Sequence, residues 1–322
     1  MNHSEVKTMT KVTSKMVVVP LDGSENALRA LDYLSLVFGS KYHLEVVLFY
    51  LLPSLPQILI EGSKTSDEVA RKFTELEKKN RAMAQRILSE GKKRLLDKGF
   101  KEQAVETIFQ KREVGIARDI CSWSENRRAD AIIISTRGLS RLKAFFMGET
   151  ANKVLEFNRS CPVWMVKGAV TRKNVLLAID NSQNAMRAAD YAGFILPGTD
   201  AHVTIFHSKR DLKRFMPNGL IEEFPEFQKF WKHKAGEVVA PYLKRAKEIL
   251  LKSGLKENQI SIKLDAGSES AAVDIHKEVE NSDAGTIILG KRGCSDVKDY
   301  SMGSVARKVL YQASDMTVCI VP

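Results

Sequence analysis

"LGKRGCSDVKDYSMGSVARKVL" (residues 289–310) places Gly290, Gly293 and Gly303 in the spacing G-x2-G-x9-G, with Ser304 directly after the last glycine. The apolar run "TIIL" leads into it and the helix-like "VARKVL" leads out, so the stretch joins a strand to a helix. Gly290 ends the strand, where a sharp turn can call for positive φ. Ser304 is placed to cap the helix, and a helix start beside glycines offers free N–H groups to an anion. Lys291 and Arg292 either neutralise phosphate charge or stand in solvent. On spacing alone the stretch is equally a phosphate cradle and a plain turn.

The same device occurs twice. Residues 134–155, "ISTRGLSRLKAFFMGETANKVL", align with residues 289–310 without a gap and share ten of twenty-two positions. Likewise "VVVPLDGSENALRALDY" (17–33) and "VLLAIDNSQNAMRAADY" (175–191) share nine of seventeen. A repeat this long means tandem domains, not a solenoid. The polar stretch "KGAVTRK" (167–173) marks the seam, giving a first domain of 1–169 and a second of 170–322. A chain of 322 residues is natural for two domains of about 150 each.

Each copy alternates short apolar runs with longer amphipathic ones. The strand candidates are "MVVVPL", "LEVVLFY", "VETIFQ", "DAIIIS" and "PVWMV", then "NVLLAI", "HVTIFHS", "ISIKL", "GTIILG" and "MTVCIV". Among the helices, Val69, Phe73, Leu76, Met83 and Ile87 are expected on one buried face. Continuous apolar strands separated by helices predict an α/β fold, two tandem five-stranded parallel sheets with helices on both faces. Ligands of such sheets sit beyond the carboxyl ends of the strands, which singles out Asp22, Asp180 and the glycine stretches.

Composition narrows the function classes. Hydrophobic content of 44% and charged content of 28% are ordinary for a soluble domain. The N-terminal "MNHSEVKTMTKVTSK" has no signal-peptide core, and no apolar run approaches the roughly 18 residues of a membrane span. A cytoplasmic protein is expected, without membrane insertion. The net charge of +11 attracts phosphates, but Lys and Arg alternate with Glu along helices and no aromatic-basic stripe accompanies them. Nucleic acid is therefore not the expected partner. Cys121, Cys161, Cys294 and Cys319 form no C-x-x-C pair and are expected as buried thiols. His207 and His276 are expected to be structural.

The glycine pattern after a parallel strand, with Asp180 ending the first strand, the "PV"-like final strand and the duplication, resembles the universal stress protein family. The resemblance covers essentially the whole chain, twice. It implies a Rossmann-like domain, akin to the adenine nucleotide alpha hydrolases, that holds ATP, with or without Mg2+, at this motif. By the same resemblance Gly290, Gly293, Gly303 and Ser304 form the phosphate turn and Asp180 contacts the nucleoside. The backbones of Ile179 and Ser208 line the adenine pocket, and Leu289, Arg292 and Val305 flank the phosphates. Ser208 departs from the family's usual aliphatic residue.

The first copy departs further. Ser135 stands for Gly290 and Glu149 for Ser304, while Asp22, Gly138 and Gly148 are kept and Arg112 stands for Gly267. A carboxylate beside phosphates is expected to cut affinity by roughly a few hundredfold. The first copy is thus expected to be a degenerate site kept for folding and pairing. In the family, domains pair through final strands, here Pro162–Val166 and Met316–Val321, and an exposed apolar edge invites such a partner. The expected function is ATP-dependent regulation in a stress response. The alternatives are a nucleotide-free interaction scaffold, with an unidentified protein partner, and a slow ATPase. Neither G-x4-G-K-[ST] nor G-x-G-x-x-G occurs, and no catalytic residue is assigned.

Overall fold

The computed structural model describes residues 14–39, 43–136, 149–209, 216, 218–265, 270–293 and 302–322. The first copy runs β1 (Lys15–Pro20), α1 (Glu25–Val37), β2 (Leu44–Leu52), α2 (Gln57–Thr65), α3 (Asp67–Asp97), β3 (Val105–Lys111), α4 (Ile116–Asn126), β4 (Ala131–Thr136), α5 (Glu149–Phe157) and β5 (Val163–Lys167). The second repeats the order as β6 (Asn174–Ala178), α6 (Gln183–Ile195), β7 (Val203–Ser208), α7 (Asn218–Glu223), α8 (Pro225–Lys252), β8 (Ile260–Asp265), α9 (Ala271–Asn281), β9 (Ala284–Gly290), α10 (Ser304–Gln312) and β10 (Met316–Val321).

The β-branched runs are strands because both of their faces are covered. One core packs α1, α3, α6 and α8 on one side of the sheet; a second packs α4, α5, α9 and α10 on the other. The first helix of each copy starts alike: Ser24 Oγ accepts from Ala27 N at 3.2 Å and Ser182 Oγ accepts from Ala185 N at 3.1 Å. In α3 the expected face is shifted. Met83 is 48% exposed, and neighbouring Ala84 is buried with Ile87, Leu88 and Leu95. The sheet covers only the C-terminal turns of this helix of 31 residues, leaving Val69, Phe73 and Leu76 half-buried.

The ten strands form one sheet in the order β3-β2-β1-β4-β5-β10-β9-β6-β7-β8. All neighbours are parallel except β5 and β10, which pair antiparallel with Trp164 opposite Cys319 and Met165 opposite Val318. The two copies thus meet through their final strands within one chain. Both strands lie inside the sheet, so neither remains as a free edge for a second chain; the edges are β3 and β8.

Aromatic side chains close the seam. Trp164 is fully buried between Tyr33 and Tyr191, with ring centroids at 5.9 and 6.2 Å, and its Nε1 donates to Tyr191 Oη at 2.8 Å. Tyr33 of α1 meets Thr286 Oγ1 of β9 at 2.7 Å, a hydrogen bond between the copies. Burial holds both tyrosine hydroxyls well above the usual phenol range. Cys121, Cys161 and Cys319 are buried free thiols; Cys294 lies outside the described residues. Among the described residues no helix is long and apolar enough to cross a membrane.

Candidate functional site

In each copy the strand order reverses beside the first strand: β1 lies between β2 and β4, and β6 between β7 and β9. Connections leave such a point in opposite directions and open a crevice at the strands' carboxyl ends. In the second copy that crevice is a cavity of about 240 Å³, and all ten residues singled out in the sequence line it: Ile179, Asp180, Ser208, Leu289, Gly290, Arg292, Gly293, Gly303, Ser304 and Val305.

The glycines act through space, not through φ. None of Gly290, Gly293 and Gly303 has positive φ, contrary to the expectation for Gly290. A Cβ on Gly290 would stand 2.8 Å from the Asn184 backbone, because the start of α6 comes against the end of β9. A Cβ on Gly293 would stand 2.7 Å from Asp180 Oδ2, and one on Gly303 would stand 3.3 Å from Arg292 Cα. A side chain at any of the three would crowd these neighbours. Gly303 N donates to Lys291 O at 2.9 Å and closes the turn.

Ser304 is not the cap. Gly303 is the N-cap of α10, with no side-chain hydrogen bond, and Ser304 is the first helical residue. The opening N–H groups of a helix have no intrahelical acceptor, and here they border the cavity with the positive end of the helix dipole. Asp180 takes its place through its own turn, with Oδ1 accepting from Ser182 N at 3.0 Å. Its Oδ2 lies on the Gly293 side.

Ser208 lines the cavity while its hydroxyl donates to Asp274 Oδ2 of α9, and both residues are buried. His207 Nδ1 stands 2.7 Å from Ile179 O and His276 Nε2 stands 3.1 Å from Val309 O; ring N–H groups on carbonyls are structural roles. Burial lowers the pKa of His276. Ala178, Ala185, Phe206, His207, Ala271, Ile275 and Ala306 complete the lining. Ile275 and Ala306 face it because they are also core positions on their helices, a signal that helical periodicity alone carries.

Lys291 fills neither role given to it above. It is 8% exposed, and its Nζ donates to Leu155 O at 2.8 Å and to Asn158 O at 3.0 Å, in the first copy. Burial lowers the pKa of its ammonium, and Arg292 and Arg159 push the same way.

The first copy keeps a cavity in the corresponding place, about 620 Å³, lined among others by Leu21, Asp22, Leu51, Ser135, Thr136 and Glu149. Ser135 Oγ donates to Val166 O at 3.3 Å. Arg112 donates through Nε and NH2 to Ser54 Oγ at 3.1 and 2.7 Å, whereas Gly138, Gly148 and Gly267 lie outside the described residues. Glu149 differs from the expectation: its side chain is 81% exposed and paired with Lys153 one turn on, which lowers its pKa. A solvated, paired carboxylate repels phosphates far less than a bare one in a shielded site. Among the described residues no group of three or more His, Cys, Asp and Glu is placed to hold a metal.

Comparison with known proteins places the chain. The profile of the Universal stress protein family matches residues 13–167 and again 171–322. A universal stress protein of Methanocaldococcus jannaschii is 27% identical over 154 residues, 48% of this chain and 82% of the relative. The crystal structure of a universal stress protein from Archaeoglobus fulgidus covers 96% of this chain and 98% of its own, at 22% identity and a TM-score of 0.64. A putative universal stress protein from Pseudomonas aeruginosa covers 96% and 93%, at 17% identity and a TM-score of 0.50. These likenesses, and the strand order repeated about an antiparallel seam, give one conclusion: the chain belongs to the universal stress protein family, as a tandem of two of its domains.

Proposed function

We propose that the chain is a stress-response regulator that binds ATP in its second copy, with the first copy serving as its folded partner. The observation that carries this reading is the glycine floor: three positions where a Cβ would meet backbone or the Asp180 carboxylate leave room under a helix start. That arrangement fits a phosphate chain, with Arg292 as the nearby cation. Asp180 is an acceptor for ribose hydroxyls, and Ile179, Phe206, Ile275 and Leu289 supply apolar walls for a purine. Bound nucleotide would bring negative charge for Mg2+, which the described residues do not gather by themselves.

The role is binding rather than turnover. Among the described residues the titratable side chains on the cavity are Asp180, His207 and Arg292, and the His207 ring is held by Ile179 O. The site is expected to work in the cytoplasm. Calorimetric titration of the full chain with ATP tests the reading: wild type binds, Gly303→Glu abolishes binding, and Asp180→Ala weakens it by about tenfold or more. Equal heats from all three proteins would refute it. Hydrolysis at ordinary enzymatic rates, lost in both variants, would replace the regulator with an enzyme.

A further inference from the structure

Two buried lysines cross between the copies: Lys291 reaches from the turn that borders the second copy's cavity to α5, and Lys167 reaches from β5 to the last turn of α10. Lys291 stands between Gly290 and Arg292, and its Nζ lies on Leu155 O and Asn158 O at the C-terminal end of α5. Its main chain is fixed as well: N donates to Val321 O at 2.6 Å, and O accepts from Gly303 N at 2.9 Å. One residue therefore ties the glycine turn to β10, to the start of α10 and to the first copy.

Lys167, at the end of β5, makes the complementary contact. Its Nζ donates to Leu310 O at 2.8 Å and Tyr311 O at 3.4 Å, in the last turn of α10, and it is 4% exposed. Both ammonium groups thus serve carbonyls that a helix end leaves without partners, at the negative end of the helix dipole. In the first copy Thr136 occupies the place of Lys291, and its hydroxyl is buried without a hydrogen-bond partner. The two anchors cross: Lys291 runs from the second copy's turn to α5 of the first, and Lys167 from β5 of the first copy to α10 of the second.

We propose that Lys291 is a positioning residue of the second copy's nucleotide site. With Lys167 it fixes the phosphate turn and α10 on the first copy, so that occupancy of the site is felt at the C-terminal turn of α5. The proposal rests on the ATP reading above for its ligand. The anchor itself does not depend on a ligand, which keeps the two separable.

The test uses the full chain with Lys291→Met, Lys291→Arg and Lys167→Met, read by hydrogen exchange and by titration with ATP. Without nucleotide, Lys291→Met is expected to speed amide exchange around residues 155–158 and 302–306, with Lys291→Arg close to wild type. Saturating ATP is expected to slow exchange around residues 155–158 in wild type but not in Lys291→Met, whose affinity falls about tenfold. Lys167→Met is expected to speed exchange at the end of α10, and it keeps the cradle testable if Lys291→Met does not fold. Unchanged exchange around residues 155–158 in folded Lys291→Met would overturn the anchor. If wild type bound no ATP while the nucleotide-free exchange changed as expected, the anchor would stand and the ATP reading would fall. Loss of affinity without any change around residues 155–158 would show a local effect and overturn the coupling.

Discussion

The ends of β4 and β9 occupy the same place in two copies of one fold, and they are built from different residues. At β9 a missing side chain lets the start of α6 close over the strand end, and two further glycines keep the floor open. At β4 a serine takes the first of these positions and bonds across to β5, and a glutamate opens the helix that follows. The apolar frame survives these changes because it depends on strand runs and helix caps that both copies keep. The proposed phosphate site is expected to be less tolerant of them, because it depends on side chains that are absent at the three glycines.

The comparison is broken hardest at the seam. Trp164→Ala removes the ring that packs between Tyr33 and Tyr191, and it is expected to cost about 3–5 kcal/mol in chemical denaturation. A cost below about 1 kcal/mol would mean that the copies do not share this core. The next effect depends on pH. Burial pushes the Lys167 ammonium down to about 8 from an ordinary value of 10.5. Between these values the unfolded chain holds the extra proton, so wild type gains stability over Lys167→Met as pH rises through this window. The gain is at most about 3 kcal/mol, at about 1.4 kcal/mol per pH unit, because the α10 carbonyls favour the charged form. A difference that shrinks with rising pH would contradict the burial of this amine.

Gly290→Ser gives the second copy the first copy's residue, and its Cβ meets the Asn184 backbone. ATP affinity is expected to fall about a hundredfold, some 2.7 kcal/mol, by calorimetry; affinity within twofold of wild type would show the glycine to be dispensable. Ser24→Ala and Ser182→Ala remove equivalent caps and are each expected to cost about 1 kcal/mol, so unequal costs would separate the two frames. The smallest effect is expected from Glu149→Ser. Its carboxylate is exposed and already paired, so the change alone adds no measurable ATP site to the first copy. A second binding event in that variant would make Glu149 the whole of the difference.

Much of this was legible in the sequence. All ten strands lie where β-branched runs place them, and the duplication gives the repeated order, because such signals are local and periodic. The ten site residues converge on one cavity because the motif sits at the switch point that the strand order dictates. What stayed hidden depends on contacts between distant segments. Lys291 reads as a phosphate ligand or a solvated cation until the antiparallel seam brings α5 beneath it. Gly290 reads as a turn glycine until α6 is seen to fill the space over it. Met83 and Ala84 are neighbours in a long amphipathic run, and only the extent of the sheet decides which is buried.

One competent nucleotide site is expected in each chain, in the second copy. Denaturing the purified protein after saturation with ATP and removal of free ligand, then quantifying the released adenine nucleotide by chromatography, counts the sites. About one nucleotide per chain, falling to none in Gly303→Glu, is the result the account predicts. Two per chain, or one that persists in Gly303→Glu, would contradict it.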